Sequence, residues 1–234
     1  EKVAALEDVI SIQAVFPTRN EDERANQILA GNYQNATTLI GPGYDPLGQF
    51  GTDGTNVTVA VVDDRVGIPG DGAFYISGAN AVARALRGTT PGANGHGHFN
   101  ATIIAGSLTP LATLDLLGFN YGLGVAPKSH IVNIPRNRPG YTGTDVQVFD
   151  DSVTTPALNG RTAFISNNSW GGEIDKTYDR GEAVFDAVVR DASLDPNVYP
   201  LALVFSAGNA GAAGMTHPKA AKNLIAVGNS ESIR

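Results

Sequence analysis

Val57-Thr58-Val59-Ala60-Val61-Val62-Asp63-Asp64 decides the fold. Six apolar or β-branched residues run without a polar interruption and then stop at two carboxylates. A strand with one wet face alternates, so an unbroken run predicts a strand covered on both faces, as in a parallel sheet between layers of helix. A carboxylate at the carboxyl end of such a strand is well placed to orient a histidine. The same Asp63-Asp64 pair also suits a cap on a helix or loop, and the strand by itself leaves both uses open.

Outward from this strand, further apolar runs of strand length occur at Ile131–Ile134, Ala163–Ile165, Leu201–Phe205 and Leu224–Val227. Helix-like segments lie between them. Ala101–Leu108 is one, and Tyr178–Ser193 carries Ala183, Val184, Ala187 and Val188 at helical spacing. Continuous apolar strands alternating with helices predict an α/β fold, doubly wound, with a mainly parallel sheet and helices on both faces. Gly41–Gly54 reads as loop, and the polar Thr18–Arg24 stretch as a linker or helix start. Before it, Val9–Val15 alternates like a strand.

With 234 residues the chain can bury a full single-domain core. Its net charge of -7 gives no footprint for nucleic acid or an anionic membrane, and no apolar run approaches the roughly 20 residues that span a bilayer. The absence of cysteine removes disulfide scaffolds, zinc–thiolate sites and thiol nucleophiles together. The 28 glycines and 13 prolines predict many tight turns at strand ends, where doubly wound folds place their chemistry.

Gly95-His96-Gly97-His98-Phe99-Asn100-Ala101-Thr102-Ile103-Ile104-Ala105-Gly106 carries the sharpest chemical signal. A histidine between two glycines, at the start of a helix of small residues, lets other backbone come close and leaves the imidazole facing a cleft. His96 and His98 also read as two metal ligands, though no third ligand stands at a recognisable spacing.

This block resembles the histidine block of the subtilases, the subtilisin-type serine endopeptidases, Gly-His-Gly-Thr-His-Val-Ala-Gly-x-Ile-Ala-Gly. The resemblance places the catalytic base at His96 and its aspartate at Asp63. His98, Phe99, Asn100 and Thr102 depart from the block, and Arg65 stands where the aspartate block has glycine. The order aspartate then histidine is the subtilase order. Further blocks follow in family order. Gly124-Val125-Ala126-Pro127 resembles the turn into a core strand. Asn167-Asn168-Ser169-Trp170-Gly171 resembles the edge segment that pairs with substrate backbone. That likeness assigns Ser169, Trp170 and Gly171 to substrate, with Trp170 walling a subsite; a core aromatic is the competing role. Phe205-Ser206-Ala207-Gly208-Asn209 resembles the segment of the oxyanion asparagine, which implies Asn209 as donor and Ser206, Ala207 and Gly208 as one side of the specificity pocket. Asn223-Leu224-Ile225-Ala226-Val227-Gly228 resembles the strand that comes next.

The resemblance implies proteolysis of polypeptides through an acyl-enzyme, by a secreted enzyme of the cell exterior or envelope. The family's Gly-Thr-Ser-Met-Ala-x-Pro nucleophile block is not in the sequence. The serine is therefore expected on a partner, a C-terminal fragment or segment outside this chain, and the chain alone is expected to be inactive. Residues 1–18 resemble the tail of an inhibitory prodomain, with 19–234 an incomplete catalytic domain. No cofactor is required for the chemistry; structural calcium is common in the family, and in the Leu111–Gly122 loop Asp115 and Asn120 offer side-chain oxygens. Two rival classes are a peptide-binding domain that does not cut and a nucleotide-binding protein using Gly122-Leu123-Gly124, which lacks the rest of a phosphate loop. The Asn-x-Ser/Thr triplets at Asn35, Asn56, Asn100 and Asn167 are glycan acceptors where the source glycosylates secreted proteins.

Overall fold

The computed structural model describes residues 22–35, 38–64, 66, 81–82, 96–106, 114–120, 123–136, 141–174 and 177–229. The expected strand within residues 9–15, and with it the prodomain reading, lies outside them, as do Arg65 and Gly95.

A parallel sheet of six strands forms the frame. Its members are β3 (Thr58–Val62), β4 (Ala81–Val82), β5 (His130–Ile134), β6 (Ile165–Asn168), β7 (Ala202–Ser206) and β8 (Ile225–Val227). They lie in the order β4-β5-β3-β6-β7-β8, every pair parallel. From β3 the chain crosses to the outer strand β4, returns to β5 between them, and then builds outward on the other side through β6, β7 and β8. The connections leaving β3 and β6 therefore part in opposite directions and open a crevice at the carboxyl ends of the strands. Four of the five apolar runs of the sequence form strands, and the fifth, Ala163–Ile165, meets its strand only at Ile165. β6 starts later than its apolar run and continues into Asn167 and Asn168, because Asn168 Nδ2 finds partners inside the sheet, Ser166 Oγ at 3.0 Å and Val204 O at 3.3 Å.

Every residue of β3 is buried, as its continuous apolar run requires. On one face Ala60, Val62, Val132, Ile134, Leu203 and Phe205 pack against α4 (Asp145–Thr154) and α5 (Arg180–Arg190). On the other, Val59, Val61 and Ile131 meet Ala101 and Ala105 of α3 (His96–Ala105). Each fully buried valine contributes up to about 1.5–3 kcal/mol. α4 and α5 start in capping boxes, Thr144 with Gln147 and Asp179 with Glu182, which satisfy N–H groups that the first turn leaves open.

α3 begins at His96, five residues before the apolar run suggested, and ends against the Gly124 turn. There Gly124 N, Val125 N and Ala126 N donate to the carbonyls of Gly106, Ile103 and Ile104 at 2.8–2.9 Å. The helix is thus fixed at both ends, by that turn and by a carboxylate described below. Ahead of the sheet stand α1 (Asp22–Leu29), a β1–β2 hairpin (Tyr33–Asn35, Thr38–Leu39) and the short α2 (Pro46–Phe50), which lies inside the stretch expected to be loop. Glu23 of α1 is wholly buried, and its carboxylate accepts from Gly43 N, Tyr44 N, Asn120 N and Asn120 Nδ2 at 2.5–2.9 Å.

Candidate active site

Asp63 follows the last residue of β3 and is 2% exposed. Its backbone N–H continues the ladder, donating to Ile134 O at 3.1 Å. His96, the first residue of α3, brings Nδ1 to 2.8 Å from Asp63 Oδ2, while its side chain stays 56% exposed. One ring nitrogen is thus held by a buried carboxylate and the other is left toward the open side, the arrangement a general base needs.

Asp64 performs the second task that the paired carboxylates allowed. Its Oδ2 accepts from His96 N at 3.1 Å and its Oδ1 from Gly97 N at 2.8 Å. Two N–H groups that the first helical turn leaves unsatisfied meet one carboxylate at the positive end of the helix. The two uses open to this pair are divided between its members: Asp63 contacts the histidine and Asp64 caps the helix. Burial lowers the His98 imidazole below its ordinary range, and among the described residues no group of three metal-ligating side chains converges.

A second cluster lies one to two strands away, about 5–10 Å along the carboxyl ends of the same sheet. Asn167, Ser169, Phe205, Ser206, Ala207, Gly208, Asn209 and Gly211, with Val227 at the end of β8 and Gly228 and Asn229 after it, line a pocket of about 600 Å³. Gly208 has φ +99°, and a Cβ there would press on Thr216 Oγ1 at 3.0 Å, so only glycine suits both the backbone and the wall. The structure therefore brings Ser169, Ser206, Ala207, Gly208 and Asn209 to one pocket. Sequence reading missed its Asn167 and β8 contributions, since neither carries a distinctive side chain.

Trp170 and Gly171 stand apart from that lining. The Trp170 ring packs edge-on to Phe205 at 4.9 Å, with the Arg136 guanidinium 3.8 Å above it. These are the contacts of the core aromatic that the sequence left open beside the subsite wall. Gly171 faces Lys219 Nζ and Thr216 Oγ1, with no room for a side chain. Lys219 is 3% exposed, and its amine donates to Trp170 O and Thr216 Oγ1 at 2.8 Å, tying the edge segment to the far wall. Burial pushes its pKa down to about 8. Beside it His217 Nδ1 meets the wholly buried Glu182 at 2.5 Å. A lone lysine and a lone histidine in Thr216-His217-Pro218-Lys219 gave no sequence signal.

In the 114–120 turn both oxygens of Asp115 are engaged within the protein. Asp115 Oδ1 accepts from Leu117 N and Phe119 N, its Oδ2 is paired with the Arg24 guanidinium, and Asn120 Nδ2 faces Glu23. The Arg24 cation already sits against the Asp115 carboxylate that calcium would need. Among the described residues no helix is long and apolar enough to cross a membrane.

Solved structures similar to this chain include the psychrophilic subtilisin-like protease Apa1 from the Antarctic psychrotroph Pseudoalteromonas sp. AS-11, at 20% identity and TM-score 0.48, covering 74% of this chain and 36% of that one. The self-cleaved protease domain of PatA matches at 22% identity and TM-score 0.47, covering 74% and 58%. MycP1 with its N-terminal propeptide removed matches at 22% and 0.44, covering 83% and 51%. The chain spans between 36% and 58% of the length of these proteins. No curated protein matches it. The sequence profile of the subtilase family, Peptidase_S8, matches residues 54–232, from the turn before β3 past the end of β8. With that match over about three quarters of its length, the chain belongs to the subtilase family.

Proposed function

We propose that this chain carries the base and the oxyanion donor of a serine endopeptidase whose nucleophilic serine comes from a segment or fragment outside it. The observation that carries the reading is the 2.8 Å contact between His96 Nδ1 and the buried Asp63 carboxylate. Asp63 holds the Nδ1–H tautomer and stabilises the imidazolium. His96 Nε2 takes the serine proton as the serine oxygen bonds to the peptide carbonyl carbon, then returns it to the departing amine as the acyl-enzyme forms. Water repeats the sequence and releases the acid. Asn209 donates its side-chain amide to the developing oxyanion; loss of such a donor in a subtilase costs about 2.7–4 kcal/mol of barrier. Ser169, Ser206, Ala207 and Gly208 receive the peptide on the acyl side, beside the edge formed by Trp170 and Gly171. Family membership supports an extracellular or cell-envelope setting.

The test is fluorophosphonate labelling and peptide hydrolysis by the full-length protein and its His96→Ala and Asn209→Ala forms. A labelled serine outside residues 1–234, abolished turnover in the first variant and a loss of about 100-fold or more in the second are expected. Near-normal turnover in His96→Ala would sink the mechanism. A full-length protein that binds peptides, takes no label and cuts nothing would make the chain a binding domain.

A further inference from the structure

Asn100 stands one helical turn after His96, where the resembling block has valine. Its Nδ2 lies 3.0 Å from Asp63 Oδ2, the oxygen already contacted by His96 Nδ1 at 2.8 Å, and 3.3 Å from that ring nitrogen. The amide orientation is fixed by its partner, because a reversed amide would set Oδ1 against a carboxylate oxygen. Asp63 Oδ1 meanwhile accepts from Asp64 N at 2.8 Å. Three N–H groups thus converge on one buried carboxylate, two of them on a single oxygen.

We infer that Asn100 is a positioning residue for the His96–Asp63 pair. An amide nitrogen only donates, and Nδ1 donates in the tautomer a general base requires. Two donors on Oδ2 leave no place for a proton on that oxygen, so Asp63 stays an acceptor toward the ring. A charge-assisted bond from a second side chain supports the carboxylate where solvent is excluded, a site at which an unsupported charge is costly. Asn100 is half-buried on the same helix as His96, so donor and base move as one body. The amide touches neither substrate nor the reacting atoms; it acts through Asp63. Valine, lacking a donor, cannot do this. The inference rests on the base role of His96 given above.

The experiment uses the full-length protein labelled with 15N-histidine. Long-range 1H–15N spectra of the neutral His96 ring report the ratio of its two tautomers, and steady-state kinetics are measured in parallel. In Asn100→Val the Nε2–H tautomer should rise at least about threefold, and kcat should fall about tenfold with KM unchanged. An unchanged tautomer ratio with unchanged kcat in folded Asn100→Val overturns the assignment, and so does a loss confined to KM. If that variant fails to fold, Asn100→Ser, whose side chain is too short to reach Asp63, is read in the same way. Active His96→Ala refutes the base role itself, whereas inactive His96→Ala beside unperturbed Asn100→Val refutes only the role of Asn100.

Discussion

Replacing Lys219 by methionine keeps the length of the side chain and removes its charge. In the unfolded chain a lysine holds its proton to about pH 10.5, whereas here burial lets it go near pH 8. Between those values the unfolded state binds more protons than the folded one, so stability rises with pH through this window. Below pH 8 both states are charged and the cost of burial is present in full. The gap corresponds to about 3–4 kcal/mol at most. Trp170 O, Thr216 Oγ1 and the face of Phe205 all favour the charged amine and reduce it, so about 1–2 kcal/mol is expected. Urea unfolding of wild type and Lys219→Met at pH 7, 8.5 and 10 measures this. Tyr44, raised by burial, and Tyr178, raised by its hydrogen bond to Asp186, also titrate in alkali but cancel in the difference between the two proteins. Wild type should gain on Lys219→Met by that amount from pH 7 to 10. A difference constant to within about 0.3 kcal/mol would refute the claim that the amine is buried at a cost.

Substitutions at three positions probe the supports of the fold. Asp64→Ala removes the carboxylate from the start of α3 and should cost about 1–2 kcal/mol in urea unfolding, with Asp64→Asn losing less than half of that. Glu23→Ala strands the N–H groups of Gly43, Tyr44 and Asn120 and should cost about 3 kcal/mol, read as faster limited proteolysis within residues 38–50 and 114–120. Gly208→Ala combines a strained φ with pressure on Thr216; about 1–3 kcal/mol of stability is lost, and peptide affinity of the full-length protein falls in calorimetric titration.

The sheet was legible because β3, β5, β7 and β8 are runs of residues that favour strands, buried throughout in β3 and exposed throughout in β8. β4 was not: two residues, Ala81 and Val82, leave no periodicity to read. α2 had signals, Pro46 in its first turn and Gly51 in the left-handed region at its end, but the Gly and Pro content around them reads equally as loop. α4 had one in Thr144-x-x-Gln147. At the site, Asp63 and His96 stood out through the likeness of their blocks to those of the subtilases, since the strand end by itself leaves Asp63 open between orienting a histidine and capping. Asn100 and Lys219 did not, since their partners lie 37 and 49 residues away and nothing beside either residue announces a target.

The strand order has a consequence for how this site can change. Asp63, Asp64, His96 and Asn100 belong to the connections leaving β3 and to α3, whereas Asn167, Ser169 and Ser206–Asn209 hang from β6 and β7. The two groups share the sheet edge but no loop. The departures at Arg65, His98, Phe99 and Asn100 all fall on the first group, and the second keeps its glycines and its asparagine. The proton handling and the peptide binding proposed above thus rest on separate connections of one sheet, and a substitution in one group leaves the backbone that carries the other in place.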